Sequence, residues 1–186
     1  MSTLSAAPGS LPVAKSAPFH IPSLDGIRAV CAHPQALAQC HGWLSTHLPN
    51  VERRLVKASY MNLPPKSADL ILICMSYHDA FWIDEKEGWP EINTPGFIDS
   101  MKRMLKPGGK LLIIDHNAPA GSGAEMAGKA HRLNEEFAKK ALTSRGFVLE
   151  KTYDGLRNKD DQLDKMVFDP AVKGKTDRYV HLYKVK

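Results

Sequence analysis

The chain is 186 residues long, 43% hydrophobic and 24% charged, with a formal net charge of +5. This is ordinary globular usage, and it excludes a collagen-like, wholly disordered or disulfide-stapled protein. No apolar run nears the roughly 20 residues of a membrane helix, and no Lys/Arg block or basic–aromatic interleaving marks a nucleic-acid surface.

Residues 1–23 are rich in Ala, Pro and Ser, with Lys15 as their one Lys, Arg, Asp or Glu side chain. They read as a flexible tail, and residues 24–186 as a single domain. Residues 27–31 form a short apolar strand. His33-Pro34 then opens a helix, and Leu37, Cys40, Leu44 and Leu48 follow at helical spacing. Residues 52–57 form a second strand, and Leu63-Pro64-Pro65 a turn. Residues 69–75, DLILICM, read as a parallel strand buried on both faces. The acidic stretch 80–93 carries Trp82 and Trp89 and is long enough for a lid or binding loop.

Thr94 as N-cap and Pro95 start the next helix, whose apolar face is Phe97, Ile98, Met101, Met104 and Leu105. Pro107-Gly108-Gly109 ends it, and residues 110–115 form another buried strand. A loop at Gly121 and Gly123 leads into one helix running to about Arg145. Glu135 with Lys139 and Glu136 with Lys140 are spaced to pair along it, and Gly146 is the natural cap. Residues 147–153 and 178–185 are the last two strands. Alternating strands and helices imply a mostly parallel sheet covered by helices, with ligands bound beyond the carboxyl ends of the strands.

Two strand ends carry chemistry. Ser76, Tyr77, His78 and Asp79 follow one buried strand, and Asp115, His116 and Asn117 follow the other. If these strands are neighbours, two His–acid pairs share one edge of the sheet. A histidine oriented by a carboxylate is a plausible general base, so His78, Asp79, Asp115 and His116 are the candidate catalytic residues. Tyr77, Trp82, His131, Arg132 and Arg157 are the candidate substrate-binding residues. The same His and Asp side chains are legitimate metal ligands, but no spacing such as H-E-x-x-H supports them, and no metal is expected. Gly121-Ser122-Gly123 is a weak phosphate-loop candidate. Cys31, Cys40 and Cys74 form no C-x-x-C pair, which points to a reduced compartment. With no signal-peptide apolar core, the expectation is a cytoplasmic protein that takes a small molecule and binds neither nucleic acid nor membrane.

Residues 60–186 resemble a class I S-adenosylmethionine-dependent methyltransferase. The likeness runs through LPPKSADLILICMSYHD, FIDSMKRMLKPGGKLLIIDH, the GF-strand and the closing strand. It is closest to a branch of predicted bacterial methyltransferases. The matching positions are Tyr77, His78 and Asp79; Asp115 and His116; Gly121 and Gly123; His131 and Arg132; Leu156, Arg157 and Asn158; and Thr176, Asp177 and Arg178. The resemblance implies a three-layer Rossmann-like α/β fold, mostly parallel with an antiparallel C-terminal strand. It also implies S-adenosylmethionine as cofactor, held by Ser59, Tyr60 and Cys74, and a methyl acceptor near Tyr77, His78 and His116.

Residues 24–58, through IRAVCAHPQALAQCHGWLSTHLPNVE, resemble a segment of prephenate dehydratase, with Ala32 where that family has Ser. The loop Cys31-Ala32-His33-Pro34 has no glycine where a methyltransferase carries its glycine-rich loop. The N-terminal part of the fold thus reads as truncated or rebuilt, in the manner of a chimera. Two readings follow: a methyltransferase of small molecules, or the same fold without methyl transfer, as an acid–base lyase or isomerase or as a ligand-binding scaffold. Self-association to a homodimer would cover an open sheet edge.

Overall fold

The computed structural model describes the backbone of residues 27–30 and 51–54, residue 61, and residues 63–186 apart from residue 88. The tail at 1–23, the helix opened by His33-Pro34, and Ser59 and Tyr60 lie outside the described residues.

Strands β1 (Ile27–Val30) and β2 (Val51–Arg54) pair in parallel, Ile27 opposite Val51. A second sheet contains β3 (Ala68–Cys74), β4 (Leu105–His116), β5 (Phe147–Thr152) and β6 (Arg178–Val185) in the order β3-β4-β6-β5. β3 and β4 are parallel, and β6 is antiparallel to both β4 and β5. Three strands therefore run one way and the last reverses, which is the expected mixed sheet.

One face of this sheet is packed. Leu111 and Ile113 of β4, Phe147 of β5, and Tyr179 and Tyr183 of β6 meet Ile98, Met101 and Met104 of α1 (Thr94–Met104). Ala138 and Leu142 of α3 (Glu135–Thr143) complete the cluster. β3 corrects the expectation of burial on both faces. Ile71 and Ile73 pack against this core, while Leu70 and Leu72 are 48% and 54% exposed and Cys74 is also exposed. Side chains alternate along a strand, and the described helices α1 and α3 supply cover on one face alone.

Four local features differ from the sequence reading. Asn93, not Thr94, caps α1: its Oδ1 accepts the Gly96 N–H at 3.1 Å, while the Thr94 hydroxyl donates to the Ala80 carbonyl at 2.7 Å. β4 begins at Leu105 instead of 110, because Ala68 pairs Leu105 before the register shifts to Leu70 opposite Lys110. Pro107-Gly108-Gly109 fills that irregularity. Gly108 has φ +80, and a Cβ on Gly109 would meet the carbonyls of Ala68 and Lys106 at 3.0 Å.

The single helix predicted up to Arg145 is two, α2 (Glu125–Ala130) and α3. His131 ends α2 in the left-handed region at φ +53, and Asn134 Oδ1 starts α3 by accepting the N–H groups of Glu136 and Phe137. The helical pairing differs as well. Lys139 bonds Glu136 three residues back, and Glu135 turns to Arg157. Gly146 does take the left-handed conformation expected of it, at φ +89.

Replacing Leu111 by Ala, at a side chain with no exposure, should lower stability by about 2–5 kcal/mol. Urea unfolding checks this, and a loss below about 0.5 kcal/mol would mean that the described face is not packed as drawn.

Candidate active site

The carboxyl ends of β3 and β4 lie side by side. Cys74 is opposite Ile114, and the Met75 N–H donates to the Ile114 carbonyl at 2.7 Å. Met75 then takes φ +54, a left-handed turn that is uncommon for a non-glycine residue. It ends the strand and directs the chain into a single 3-10 turn, His78–Phe81.

This brings the two His–acid dipeptides together as expected. The His78 N–H donates to Asp115 Oδ2 at 2.7 Å, and His78 Nδ1 donates to Asp115 Oδ1 at 2.8 Å. Asp115 Oδ1 also accepts the His116 N–H at 2.8 Å. His78 and Asp115 are both buried. The other nitrogen of His78, Nε2, lies 3.2 Å from Asp79 Oδ1 and 3.3 Å from His131 Nδ1. His116 stands beside this group, its ring centroid 6.2 Å from that of His78, with Nδ1 2.7 Å from the Thr176 hydroxyl.

The environment separates the three imidazoles. Burial opposes the charged form of His78, but the hydrogen bond and charge of Asp115, followed by Asp79, outweigh it and raise the pKa. Burial, with the neighbouring positive charges of His78, Arg178 and Arg132, takes His116 down to about 4 against the opposing pull of Asp115. His131 is lowered by burial and by His78. The one cluster thus holds an imidazole shifted up beside two shifted down.

Aromatic rings wall the cluster. Trp82 stacks on Trp89 at 4.2 Å and meets the His131 ring edge-on at 4.9 Å, and Phe168 meets His131 at 5.0 Å. Trp82 fits only because α2 carries glycine at 128, where a Cβ would lie 2.6 Å from the indole.

Three candidate binding residues are placed elsewhere. Tyr77 has no exposed surface; its ring packs edge-on to Phe81 in the core, and its hydroxyl has no hydrogen-bond partner among the described residues. Arg132 is also fully buried. Its guanidinium donates to both Asp161 oxygens at 2.8 and 3.1 Å and to the Lys165 and Asn117 carbonyls. It holds the 161–165 segment and does not face the cleft. Arg157 pairs with both Glu135 oxygens and lies 3.1 Å from Asp177 Oδ1, so its charge is already matched. It borders a cavity of about 340 Å³ between α3, β5 and β6, lined also by Glu135, Lys139, Tyr153 and His181. The Gly121–Gly123 loop is not an anion cradle, because the Gly123 N–H is taken by the Glu125 carboxylate at 2.9 Å.

Sequence reasoning missed Asp161 and Phe168. Asp161 meets Arg132 from 29 residues away and Phe168 meets His131 from a distant stretch of chain, and no local pattern signals either contact. Of the proposed cofactor residues, Cys74 stands exposed at the end of β3.

Solved structures of methyltransferases share this architecture. A S-adenosylmethionine-dependent methyltransferase from Aquifex aeolicus has a TM-score of 0.56 at 15% identity, over 87% of this chain and 69% of that one. One from Mesorhizobium loti has 0.56 at 13% identity, over 86% of this chain and 80% of that one. A TehB-like S-adenosylmethionine-dependent methyltransferase from Corynebacterium glutamicum has 0.53 at 13% identity, over 87% and 68%. At such identity the likeness establishes the fold, which is that of the class I S-adenosylmethionine-dependent methyltransferases. The prephenate dehydratase family model matches residues 11–61, around the stretch whose sequence resembles that family. No curated protein matches the sequence. Among the described residues, no helix is long and apolar enough to cross a membrane.

Arg132→Met would leave the Asp161 carboxylate buried without its cation and should cost about 3–5 kcal/mol in urea unfolding. Burial pushes the Asp161 pKa up, but Arg132 and the N–H groups of Asp177 and Leu163 outweigh it, so the folded pKa is depressed. The stability from Asp161 is thus present above its ordinary pKa of about 3.9 and lost as pH falls below it. Unfolding curves near pH 6 and pH 3 should show that loss in the wild type.

Proposed function

We propose that this protein is an S-adenosylmethionine-dependent methyltransferase of a small molecule, with the acceptor seated at the carboxyl ends of β3 and β4. The observation that carries the reading is the His78–Asp115 pair. It spans two adjacent parallel strands at the edge where such sheets bind ligands, in a fold shared with solved methyltransferases.

When bound, S-adenosylmethionine supplies an electrophilic methyl group. Cys74, exposed at the end of β3, is assigned to that ligand by resemblance together with Ser59 and Tyr60. Asp115 fixes His78 through Nδ1, which leaves Nε2 to take the proton of the acceptor as its nucleophilic atom is methylated. Trp82 and Phe168 flank the neighbouring His131 ring and would offer apolar surface to the acceptor. Much of the rate would come from holding acceptor and methyl donor in line.

The proposal includes a cytoplasmic, homodimeric protein with no nucleic-acid or membrane partner. The glycine-free loop Cys31-Ala32-His33-Pro34 supports a second reading, the same cleft without methyl transfer.

Isothermal titration with S-adenosylhomocysteine separates the two. Micromolar binding is expected, and no heat from folded protein overturns methyl transfer. With an acceptor in hand, His78→Gln should lower kcat by about 10²–10⁴-fold and leave the S-adenosylhomocysteine affinity unchanged.

A further inference from the structure

His78, Asp79 and His131 bring one ligand atom each to a common point, and the three atoms lie within 4.8 Å of one another. His78 Nε2 is 3.2 Å from Asp79 Oδ1 and 3.3 Å from His131 Nδ1. A tetrahedral ion with bonds of about 2.0–2.1 Å holds its ligand atoms about 3.3 Å apart. We propose that these three side chains form a binding site for a divalent first-row cation, with Zn2+ the best fit, and that its fourth position is open to water or an oxygen ligand. Two imidazoles and one carboxylate are a donor set such ions accept.

The shell behind the ligands is already built. A metal-bound imidazole donates its other N–H to a fixed acceptor, which sets the tautomer and ring orientation. His78 Nδ1 donates to Asp115 Oδ1 at 2.8 Å, and Asp115 is fully buried and held by two backbone N–H groups. His78 Nε2 therefore faces away from Asp115, toward Asp79 and His131.

His131 also occupies a costly position. It caps α2 at φ +53, with its N–H on the Ala127 carbonyl and the Arg132 N–H on the Met126 carbonyl. Glycine is the usual residue in that conformation, and a side chain there costs roughly 1 kcal/mol. The conformation brings the imidazole against His78, ring centroids 5.4 Å apart, between Trp82 and Phe168. Strain of this kind in a functional cluster points to a role for the side chain. No local motif announces the site, because the ligands come from positions 78, 79 and 131.

The site stands independently of methyl transfer. Binding the ion requires bare nitrogens at His78 Nε2 and His131 Nδ1, so any proton held there leaves to solvent. An acceptor hydroxyl at the fourth position would then release its proton to solvent, and His78 would act as a ligand in place of a base. The two modes are alternative occupants of one lone pair.

The test is calorimetric titration of untagged, chelator-treated full-length protein with zinc chloride. One saturable Zn2+ per chain is expected. His131→Gly keeps the backbone conformation and removes a ligand, so it should weaken binding at least about 100-fold while the circular dichroism spectrum and melting curve are retained. Asp79→Asn should weaken binding likewise. Absence of saturable binding overturns the proposal. So does binding that neither variant changes, which would place the ion on other residues of the chain.

Discussion

The Asp115 carboxylate is the constraint on which the site depends. It is fully buried at the end of β4 and accepts the backbone N–H groups of His78 and His116 and the Nδ1 proton of His78. A buried carboxylate is costly unless its lone pairs are used, and here both oxygens are used. These bonds join the ends of two neighbouring strands, fix the turn after β3, and set which nitrogen of His78 faces the cleft. Without that anchor, the left-handed turn at Met75 would have no reason to present His78 toward β4.

A second polar lattice holds the loops behind the site. The Asp177 carbonyl accepts the Asn117 N–H, and its side chain accepts from Asn117 Nδ2 and the Asn158 N–H. The Asp177 N–H in turn donates to Asp161, which is bound by Arg132. Asn117 Oδ1 receives the first N–H of α3, and the His116 carbonyl receives that of Leu133. The loop after β4, the link between α2 and α3, and the approach to β6 are thus one hydrogen-bonded unit. Such a fully satisfied network rigidifies what it joins.

That division explains how much was legible in the sequence. The apolar runs at 69–75 and 110–115 signalled their strands, and the two His–acid dipeptides could meet only if those strands were neighbours, a condition the observed parallel pairing supplies. The pattern could not separate residues that face a ligand from residues that face each other. Arg132, Arg157 and Tyr77 look like binding groups as letters. The partners of the two arginines, Asp161 and Glu135, lie 29 and 22 residues away in sequence, and only folding shows those charges to be matched and Tyr77 to be in the core. The break at His131 was equally hidden, because residues 125–143 keep an apolar spacing that fits one helix. The interruption is set by tertiary bonds, with Asn134 capping α3 and also donating to the Pro119 carbonyl.

The helix break links the scaffold to the chemistry. An unbroken helix would advance about 100° per residue through 131 and 132. In the folded chain, the left-handed residue at 131 instead leaves consecutive side chains with opposite tasks. His131 turns to His78 and the aromatic wall, while Arg132 enters the interior to meet Asp161. The buried ion pair holds the strained residue beside it in place, since the Arg132 guanidinium is tied at once to Asp161, Lys165 and Asn117. The accessible half of this dipeptide is therefore positioned by the inaccessible half, and the site owes its third imidazole to a salt bridge that no ligand touches.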